Sequence, residues 1–234
     1  DLYEKAKREQ WNGTTLLPWD TQVDPEGEII PQAINPLTGF GPFGKLDAPE
    51  GRRMRHAQVA LQLSQFLHGE QGALIVASQL VGGVPWIDAK YYAGTQTMDE
   101  ARHVEVFSRY LHEKLEWEWP INESLKELLD ATIQDARWDF KYLGMQVLIE
   151  GLAMAAFGNL FQVCQEPLLK ELLKYVIRDE SRHVPFGVLS LRDYYGEMPA
   201  NELADREEFI IYASELMRNR LVGAEIAKAM GWDV

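Results

Sequence analysis

Four long stretches of the chain carry hydrophobic residues at the three-to-four-residue spacing of an α-helix. The predicted helices cover about residues 48–81, 85–117, 135–161 and 167–195. Proline or glycine bounds most of them, and the short β-branched runs lack the bounded alternation of strands. The pattern therefore predicts an all-α fold built on four long helices.

The segments that flank these helices differ in composition. Residues 1–48 are punctuated by proline and glycine after a short helical start, yet tryptophan, leucine and isoleucine are interspersed. We expect an ordered N-terminal arm that packs on residues 49–234, which form one helical domain; a flexible tail is the alternative. Asn201 is expected to cap an additional C-terminal helix that ends near Met230.

Two features inside the long helices carry further expectations. The third helix contains a near-continuous apolar run from Val147 to Gly158, interrupted by Glu150, which is typical of a helix buried nearly all round. Pro185 lies inside the fourth helix and is expected to bend it or to loosen one turn.

Composition excludes several classes of protein. The net charge of -13 argues against a nucleic-acid partner, because phosphates are bound by lysine and arginine. The single cysteine, Cys164, allows no internal disulfide and no thiolate metal cluster, which fits a cytoplasmic location. No stretch has eighteen uncharged apolar residues, so no membrane span is expected.

A five-residue motif occurs twice in the predicted helices. Asp-Glu-Ala-Arg-His at residues 99–103 returns as Asp-Glu-Ser-Arg-His at residues 179–183. In a helix, a glutamate and a histidine three residues apart lie on one face and form half of a metal site. A single copy would more often be an exposed, salt-bridged helix face.

Two further glutamates stand in the same register as the motifs. Glu70 and Glu150 lie among apolar neighbours, where an unpaired carboxylate would cost several kcal/mol. Each precedes the glutamate of a motif by thirty residues, so the chain contains two helical hairpins of one layout, eighty residues apart. We therefore predict a dinuclear metal site with these ligands: Glu70, Glu100, His103, Glu150, Glu180 and His183. Oxygen ligands with one imidazole per metal suit iron, and manganese is the main competitor.

The residues around the motifs are candidates for supporting the ligands. A metal-bound histidine usually donates its other N–H to a carboxylate, so we expect Asp99 and Asp179 to serve the histidine of the opposite hairpin. Arg102 and Arg182 are expected to pair with these aspartates.

Gln96 and Thr97 lie one turn before Glu100 and can share its face. Each is a candidate to hydrogen-bond a metal-bound water or a ligand carboxylate. The alternative for each is a bond to the helix backbone or to solvent.

Apolar and small residues one or two turns from the predicted ligands are candidates for a substrate pocket, although ordinary bundle core is the alternative for each. They are Phe66, Ala73, Leu74, Ala77, Phe107, Ala153, Met154, Phe157, Val176 and Gly187.

The predicted ligand set resembles that of the ferritin-like di-iron carboxylate superfamily, over roughly residues 50–195. The doubled Asp-Glu-x-Arg-His resembles the bacterial multicomponent monooxygenase hydroxylases and their relatives among ribonucleotide reductase small subunits. The resemblance implies a ferritin-like four-helix bundle, here with an irregular N-terminal arm and an additional C-terminal helix. It also implies two iron ions, or a Mn/Fe pair, with O2 as co-substrate.

Three positions depart from individual relatives. Phe107 stands where radical-generating reductase subunits usually have a tyrosine, so the usual tyrosyl radical is not expected. Met154 replaces a threonine usual in the hydroxylases, and Val176 replaces an additional histidine ligand of the arylamine N-oxygenases.

These patterns together predict a non-haem di-iron oxidoreductase, of monooxygenase type, that activates O2 to oxidise a small, largely apolar organic substrate. The chain has no flavin, haem or cysteine-cluster motif, so an external electron donor such as a ferredoxin or flavin reductase is implied. A homodimer is expected. The alternatives are an iron-handling ferroxidase and a reductase-small-subunit-like protein that serves a partner enzyme.

Overall fold

The fold was determined as a computed structural model, which describes residues 1–34 and 45–220. Within these ranges the ordered elements are helical and no strand occurs, which confirms the predicted all-α class. The helices are α1 (Leu2–Arg8), α2 (Gly13–Leu16), α3 (Ala48–Gly83), α4 (Ile87–Tyr110), α5 (Glu123–Gln134), α6 (Trp138–Lys141), α7 (Glu150–Val163), α8 (Pro167–Gly196) and α9 (Ala200–Asn219).

Side-chain caps fix where three of the longer helices begin, and Asn12 caps the short α2. Asp47 accepts a hydrogen bond from the backbone N–H of Glu50 at 2.9 Å, and the Glu50 carboxylate accepts one from Asp47 N–H at 3.0 Å. Asn122 caps α5 through the N–H of Leu125 in the same way. Glu166 caps α8, which starts with Pro167. Such caps each contribute about 1 kcal/mol because they satisfy N–H groups that lack a helical partner.

The four long helices pack as two hairpins. Helix α3 lies along α4, the helix that includes α7 lies along α8, and α4 contacts α8 across the bundle. Two apolar clusters fill the interior: one contains Leu63, Phe107 and Leu172, and the other contains Val76 and Tyr142. On α3, α4 and α8 the predicted ligands fall in sequence between the stretches that build these clusters. The bundle therefore holds a polar layer between two apolar ones.

The third long helix differs from its sequence prediction in two respects. Its central segment, Tyr142–Ile149, is π-helical and joins α6 to α7. The expectation of burial nearly all round was wrong, since only Glu150, Phe157 and Leu160 of α7 are buried. A helix at the edge of a four-helix bundle turns one stripe to the core, and the described residues leave the opposite face of α7 partly uncovered.

The same helix, Trp138–Val163, is long and apolar enough by composition to cross a membrane, with a mean hydropathy of 1.3. A core helix of a bundle passes that test as well. Here the inward side carries the buried polar residues Gln146 and Glu150, and the helix packs along α8. We therefore describe it as a bundle helix.

Other boundaries also differ from the sequence prediction. Helix α4 changes to a π-helical turn at Leu111–Leu115 and ends at Glu116, whose φ is 52°. Helix α8 continues through Pro185. The prediction that Asn201 caps α9 was wrong, because Pro199 occupies the cap position and its carbonyl accepts the first helical hydrogen bonds. The expected end near Met230 lies outside the described residues.

The segment before the bundle is tied to it by both apolar and polar contacts. Leu17, Trp19 and Ile29 are buried in the core cluster that contains Leu63. The ammonium group of Lys114 donates to the carbonyl oxygens of Trp19 and Thr21, at 2.6 and 3.1 Å. These contacts hold residues 17–29 against the bundle and against the π-helical turn that follows α4.

Candidate metal centre

The structure brings the six predicted ligands together in the middle of the bundle. Helix α3 contributes Glu70, and the first residue of α7 is Glu150. Each Glu-x-x-His pair supplies two side chains from one helix, α4 or α8. All six side chains are buried. They form two overlapping groups whose potential ligand atoms lie within 4.8 Å of one another.

Glu100 and Glu180 lie between the two imidazoles. The Oε2 atom of Glu100 is 3.4 Å from Nδ1 of His103, and its Oε1 atom is 3.1 Å from Nδ1 of His183. The two oxygens of Glu180 lie 3.2 Å from the same two nitrogens. Both carboxylates are therefore placed to bridge two metal ions, one beside each imidazole.

Glu70 and Glu150 each belong to one side of the cluster. Glu70 Oε2 lies 3.3 Å from His103 Nδ1, whereas Glu150 groups with Glu100 and His183. The arrangement thus offers each metal one imidazole, one carboxylate of its own and two shared carboxylates. This donor set, rich in oxygen with one nitrogen per metal, suits iron or manganese.

The buried atoms of the cluster fit two cations. Among the described residues, Glu100 Oε2, Glu150 Oε2, both Glu180 oxygens and His183 Nδ1 are buried without a hydrogen-bond partner. Buried polar atoms are normally paired, so their free lone pairs call for a ligand. Two divalent cations would balance the four carboxylates in charge.

The pKa values of three of the clustered glutamates are shifted in different directions. Burial raises the pKa of Glu70 well above its ordinary value, although His103 opposes this. Burial together with Glu100 and Glu180 raises the pKa of Glu150. Burial alone would also raise the pKa of Glu100, but the nearby His183 and His103 hold it well below its usual range. Protons shared among these groups therefore neutralise the cluster when no metal does.

Burial would lower the pKa of both histidines, but the surrounding carboxylates raise it. For His103 the raising groups include Asp179, Glu100 and Glu180. For His183 they include Glu180 and Glu100. The surrounding carboxylates therefore favour the protonated form of both imidazoles.

Each aspartate of the repeated motif contacts the histidine of the other hairpin. Asp99 Oδ2 lies 3.3 Å from His183 Nε2, and Asp179 Oδ2 lies 3.4 Å from His103 Nε2. Such an acceptor on the far nitrogen fixes the ring so that Nδ1 faces the cluster. The sequence expectation named this crossed pairing of aspartate and histidine.

Two buried arginines join these aspartates to each other. Arg102 donates to Asp99 and, at 3.0 Å, to Asp179. Arg182 donates to Asp99 at 2.9 Å and to Asp179 at 2.8 Å. The pKa of each aspartate is lowered, because hydrogen bonds and charges from the histidines outweigh burial, and Arg182 adds to the effect at Asp179. The two aspartates therefore stay ionised.

Residues of the N-terminal segment complete this network and were missed by sequence reasoning. Trp11 Nε1 donates to Asp179 at 2.6 Å, and Gln10 Nε2 donates to Asp99 at 3.0 Å. Glu9 accepts from Arg182 at 2.8 Å. No spacing in the sequence links these residues to the motifs, since Trp11 and Asp179 are 168 residues apart.

The two residues proposed beside Glu100 behave differently. Gln96 is buried and its amide donates to Glu100 at 3.0 Å and to Glu150 at 2.9 Å, so it ties the two hairpins together. Thr97 instead donates to the carbonyl of Ala93 within its own helix at 2.8 Å.

Gln146, which sequence reasoning missed, extends this contact. Its amide nitrogen lies 3.5 Å from Gln96 Oε1, and it stands four residues before Glu150 as Gln96 stands before Glu100. This shared four-residue offset was the sequence signal that could have identified Gln146 as a residue of the site.

A small cavity of about 20 Å³, which opens to solvent, adjoins the cluster. Among the predicted pocket residues, Phe66, Ala73, Ala153 and Phe157 line it. Its remaining described walls are Gln65, Gly69, Glu70, Met145, Ile149, Glu150, Glu180 and Arg220.

Six predicted pocket residues do not line this cavity: Leu74, Ala77, Phe107, Met154, Val176 and Gly187. Phe107 and Val176 belong to the apolar core, with the Phe107 ring 5.7 Å from that of Phe157. Ala77 is buried, and Leu74 and Met154 are half-buried. The space at Gly187 is filled by Gln146, since a Cβ there would lie 2.5 Å from the Gln146 Cβ atom.

Replacing Asp179 by asparagine tests the role of the aspartates. We expect Asp179→Asn to weaken metal affinity by about 10- to 100-fold, because His103 loses its carboxylate acceptor. A chelator competition titration measures this, with the exposed Asp193→Asn on the same helix as control. Unchanged affinity in a folded Asp179→Asn protein would show that the aspartate does not support the ligand.

The raised pKa values of His103 and His183 predict proton release on metal binding. A metal must displace the protons that the raised pKa values favour on these rings, so affinity falls as pH decreases and levels off above those pKa values. We expect roughly one proton or more released per metal at pH 7, because Glu70 and Glu150 also have raised pKa values and lose their protons to the metals. Calorimetry in two buffers of different ionisation enthalpy measures it, and zero release would contradict the assigned protonation.

Comparisons with known proteins address the fold. No family model matches the chain, and no curated protein matches it. Solved structures of R2-like ligand-binding oxidase variants, with anaerobically reconstituted Mn/Fe cofactor, are similar over 98% of this chain. Three of them have TM-scores of 0.65, 0.64 and 0.64, identities of 21%, 20% and 20%, and coverage of 84%, 83% and 79% of their own length. The chain therefore has the ferritin-like helical fold of these oxidases, as the sequence predicted.

Proposed function

We propose that this chain is a non-haem di-iron oxidoreductase, of monooxygenase type, that uses O2 to oxidise or oxygenate a small organic substrate. The observation that carries the proposal is the buried cluster in which two glutamates lie between two imidazoles, beside a cavity with mainly apolar walls. The Mn/Fe cofactor of the structurally similar oxidases supports a redox-active metal pair. A Mn/Fe pair is accordingly the second candidate for the metal content.

In this proposal the six clustered residues are the metal ligands. Glu70, Glu100, His103 and Glu180 would hold one ion, and Glu100, Glu150 and His183, with Glu180 3.2 Å from His183, would hold the other. Two bound iron ions, or one manganese and one iron, supply redox equivalents and an O2-binding position that side chains lack.

The remaining residues of the site position ligands and exclude water. Gln96 holds Glu100 and Glu150 in fixed orientations through its amide group. Asp99 and Asp179 orient the imidazoles. Phe66 and Phe157, whose ring centroids are 4.5 Å apart, form an apolar wall of the cavity next to Glu70. Such a wall keeps bulk water from the place where substrate is oxidised.

Oxygenation requires reducing equivalents that the chain does not supply. Insertion of one oxygen atom of O2 into a substrate, with the other leaving as water, consumes two electrons and two protons. A ferredoxin or flavin reductase is therefore the proposed donor. A homodimer belongs to the same proposal. So does a cytoplasmic location, which the single cysteine favours.

Removing a ligand tests the metal centre directly. We expect the wild-type chain to bind two Fe(II) ions anaerobically and to oxidise both on exposure to O2. Glu100→Ala and His183→Ala should each bind fewer than two, because each removes donor atoms from the cluster. Metal analysis after reconstitution and optical spectra after O2 addition measure this.

Matched controls are the exposed Glu208→Ala and His112→Ala, which should keep two metals per chain. If Glu100→Ala or His183→Ala binds two ions with full affinity, the assigned metal site is wrong.

A ferroxidase of ferritin type is the second candidate function, since the same ligands would oxidise Fe(II) as substrate. The apolar cavity favours an organic substrate instead. The third candidate, a radical-supplying subunit, is disfavoured by the buried Phe107.

Assembly size separates the first two functions. We expect a dimer near 54 kDa, twice the 26.8 kDa of this chain, because an oxygenase needs no iron store. Light scattering after size-exclusion chromatography measures the mass. A closed shell of many subunits would contradict the oxygenase proposal and favour iron storage.

A further inference from the structure

The side chains that surround the two metal positions differ, although the ligands at the two positions match. One position lies beside His103 and the other beside His183. The eighty-residue offset that relates the two hairpins also pairs three neighbours of the ligands: Gln96 with Val176, Gln146 with Phe66, and Gly187 with Phe107. The first member of each pair is polar or small, and the second is a bulky hydrophobic residue.

At the position beside His183, Gln96 donates hydrogen bonds to two ligand oxygens. Its amide nitrogen lies 3.0 Å from Glu100 Oε1 and 2.9 Å from Glu150 Oε1. Glu100 Oε1 is also the oxygen that lies 3.1 Å from His183 Nδ1. Both hydrogen bonds therefore act on carboxylates that face this one position.

Gln146 and Gly187 support the orientation of Gln96. The amide nitrogen of Gln146 lies 3.5 Å from Gln96 Oε1, which leaves the N–H groups of Gln96 directed at the carboxylates. Gln146 fits at this place because residue 187 has no side chain, since a Cβ there would lie 2.5 Å from the Gln146 Cβ atom. A glycine on α8 therefore makes room for the pair of amides.

Apolar side chains occupy the equivalent places at the other position, and all of them are buried in one core cluster: Phe66, Phe107 and Val176. A hydrocarbon side chain has no hydrogen-bond donor. The oxygens of Glu100 and Glu180 that face His103 Nδ1, at 3.4 and 3.2 Å, have no hydrogen-bond partner among the described residues. The carboxylates that face His103 therefore lack the support that Gln96 gives at the other position.

We propose that Gln96 makes the two metal positions unequal, so that the position beside His183 binds an ion about tenfold or more tightly than the position beside His103. The proposal rests on the proposed function only in taking the clustered residues as metal ligands. A carboxylate whose orientation is fixed before the ion arrives loses less conformational freedom on binding. Gln96 is a positioning residue, since it acts through Glu100 and Glu150.

Variants that lack one histidine allow each position to be measured by itself, without repulsion between two bound ions. His103→Ala keeps the position beside His183, and His183→Ala keeps the position beside His103. Gln96→Met retains the length of the side chain but has no N–H. It should weaken binding about tenfold or more in His103→Ala, and by less than about twofold in His183→Ala. Anaerobic titration with Mn(II), in which the EPR signal of free Mn(II) is followed, measures both affinities without turnover.

The matched control is Thr97→Val on the same helix, whose hydroxyl donates to the Ala93 carbonyl instead of a ligand. It should leave both affinities unchanged. A second measurement uses the chain with all six ligands. There we expect two separate Mn(II) binding steps, and Gln96→Met should narrow the separation between them.

Two results would overturn the proposal. An equal loss of affinity in both single-histidine variants would mean that Gln96 supports the cluster as a whole. Unchanged affinities and unchanged binding steps in Gln96→Met would remove it from metal binding. The titration does not measure oxidation of a substrate, so failure of the proposed oxygenase activity leaves its result intact. A wrong ligand assignment would instead appear as two ions bound by His103→Ala or His183→Ala, and would overturn both proposals.

Discussion

The burial of four carboxylates and two imidazoles in one apolar bundle is the constraint on which the rest of the structure depends. An isolated buried carboxylate costs several kcal/mol, so four of them are stable only when protons or cations neutralise them. The raised pKa values of Glu70, Glu150 and both histidines indicate that bound protons neutralise the cluster when no metal is bound. Two divalent cations meet the same need without leaving buried oxygens unpaired.

The hydrogen-bond network of aspartates and arginines, on the Nε2 side of the histidines, joins the two hairpins. Each aspartate belongs to one hairpin, contacts the histidine of the other, and accepts from both buried arginines. Glu9, Gln10 and Trp11 close this network from outside the bundle. The N-terminal segment therefore takes part in positioning the imidazoles, which goes beyond the packing role that composition suggested.

Much of the bundle and the cluster could be predicted because the information is periodic. The offsets of thirty and eighty residues place six side chains on matching helix faces without any knowledge of loops. Contacts that lack such a period could not be predicted: Trp11 reaches Asp179 across 168 residues. The π-helical segment Tyr142–Ile149 also leaves no signal in an apolar run, because widening a helical turn changes which residues face inward without changing composition.

The two faces of the cluster differ although the two hairpins share one layout. The aspartates and arginines occupy the face behind the imidazoles, where the hydrogen bonds are dense and the side chains are fixed. Glu70, Glu150 and Glu180 border the cavity on the other face, where Glu150 and Glu180 keep oxygen atoms without a hydrogen-bond partner among the described residues. The side with the aspartates and arginines is rigid and orients the imidazoles. The side that faces the cavity has fewer hydrogen bonds. Ligand rearrangement during a reaction is therefore easiest for the carboxylates that border the cavity.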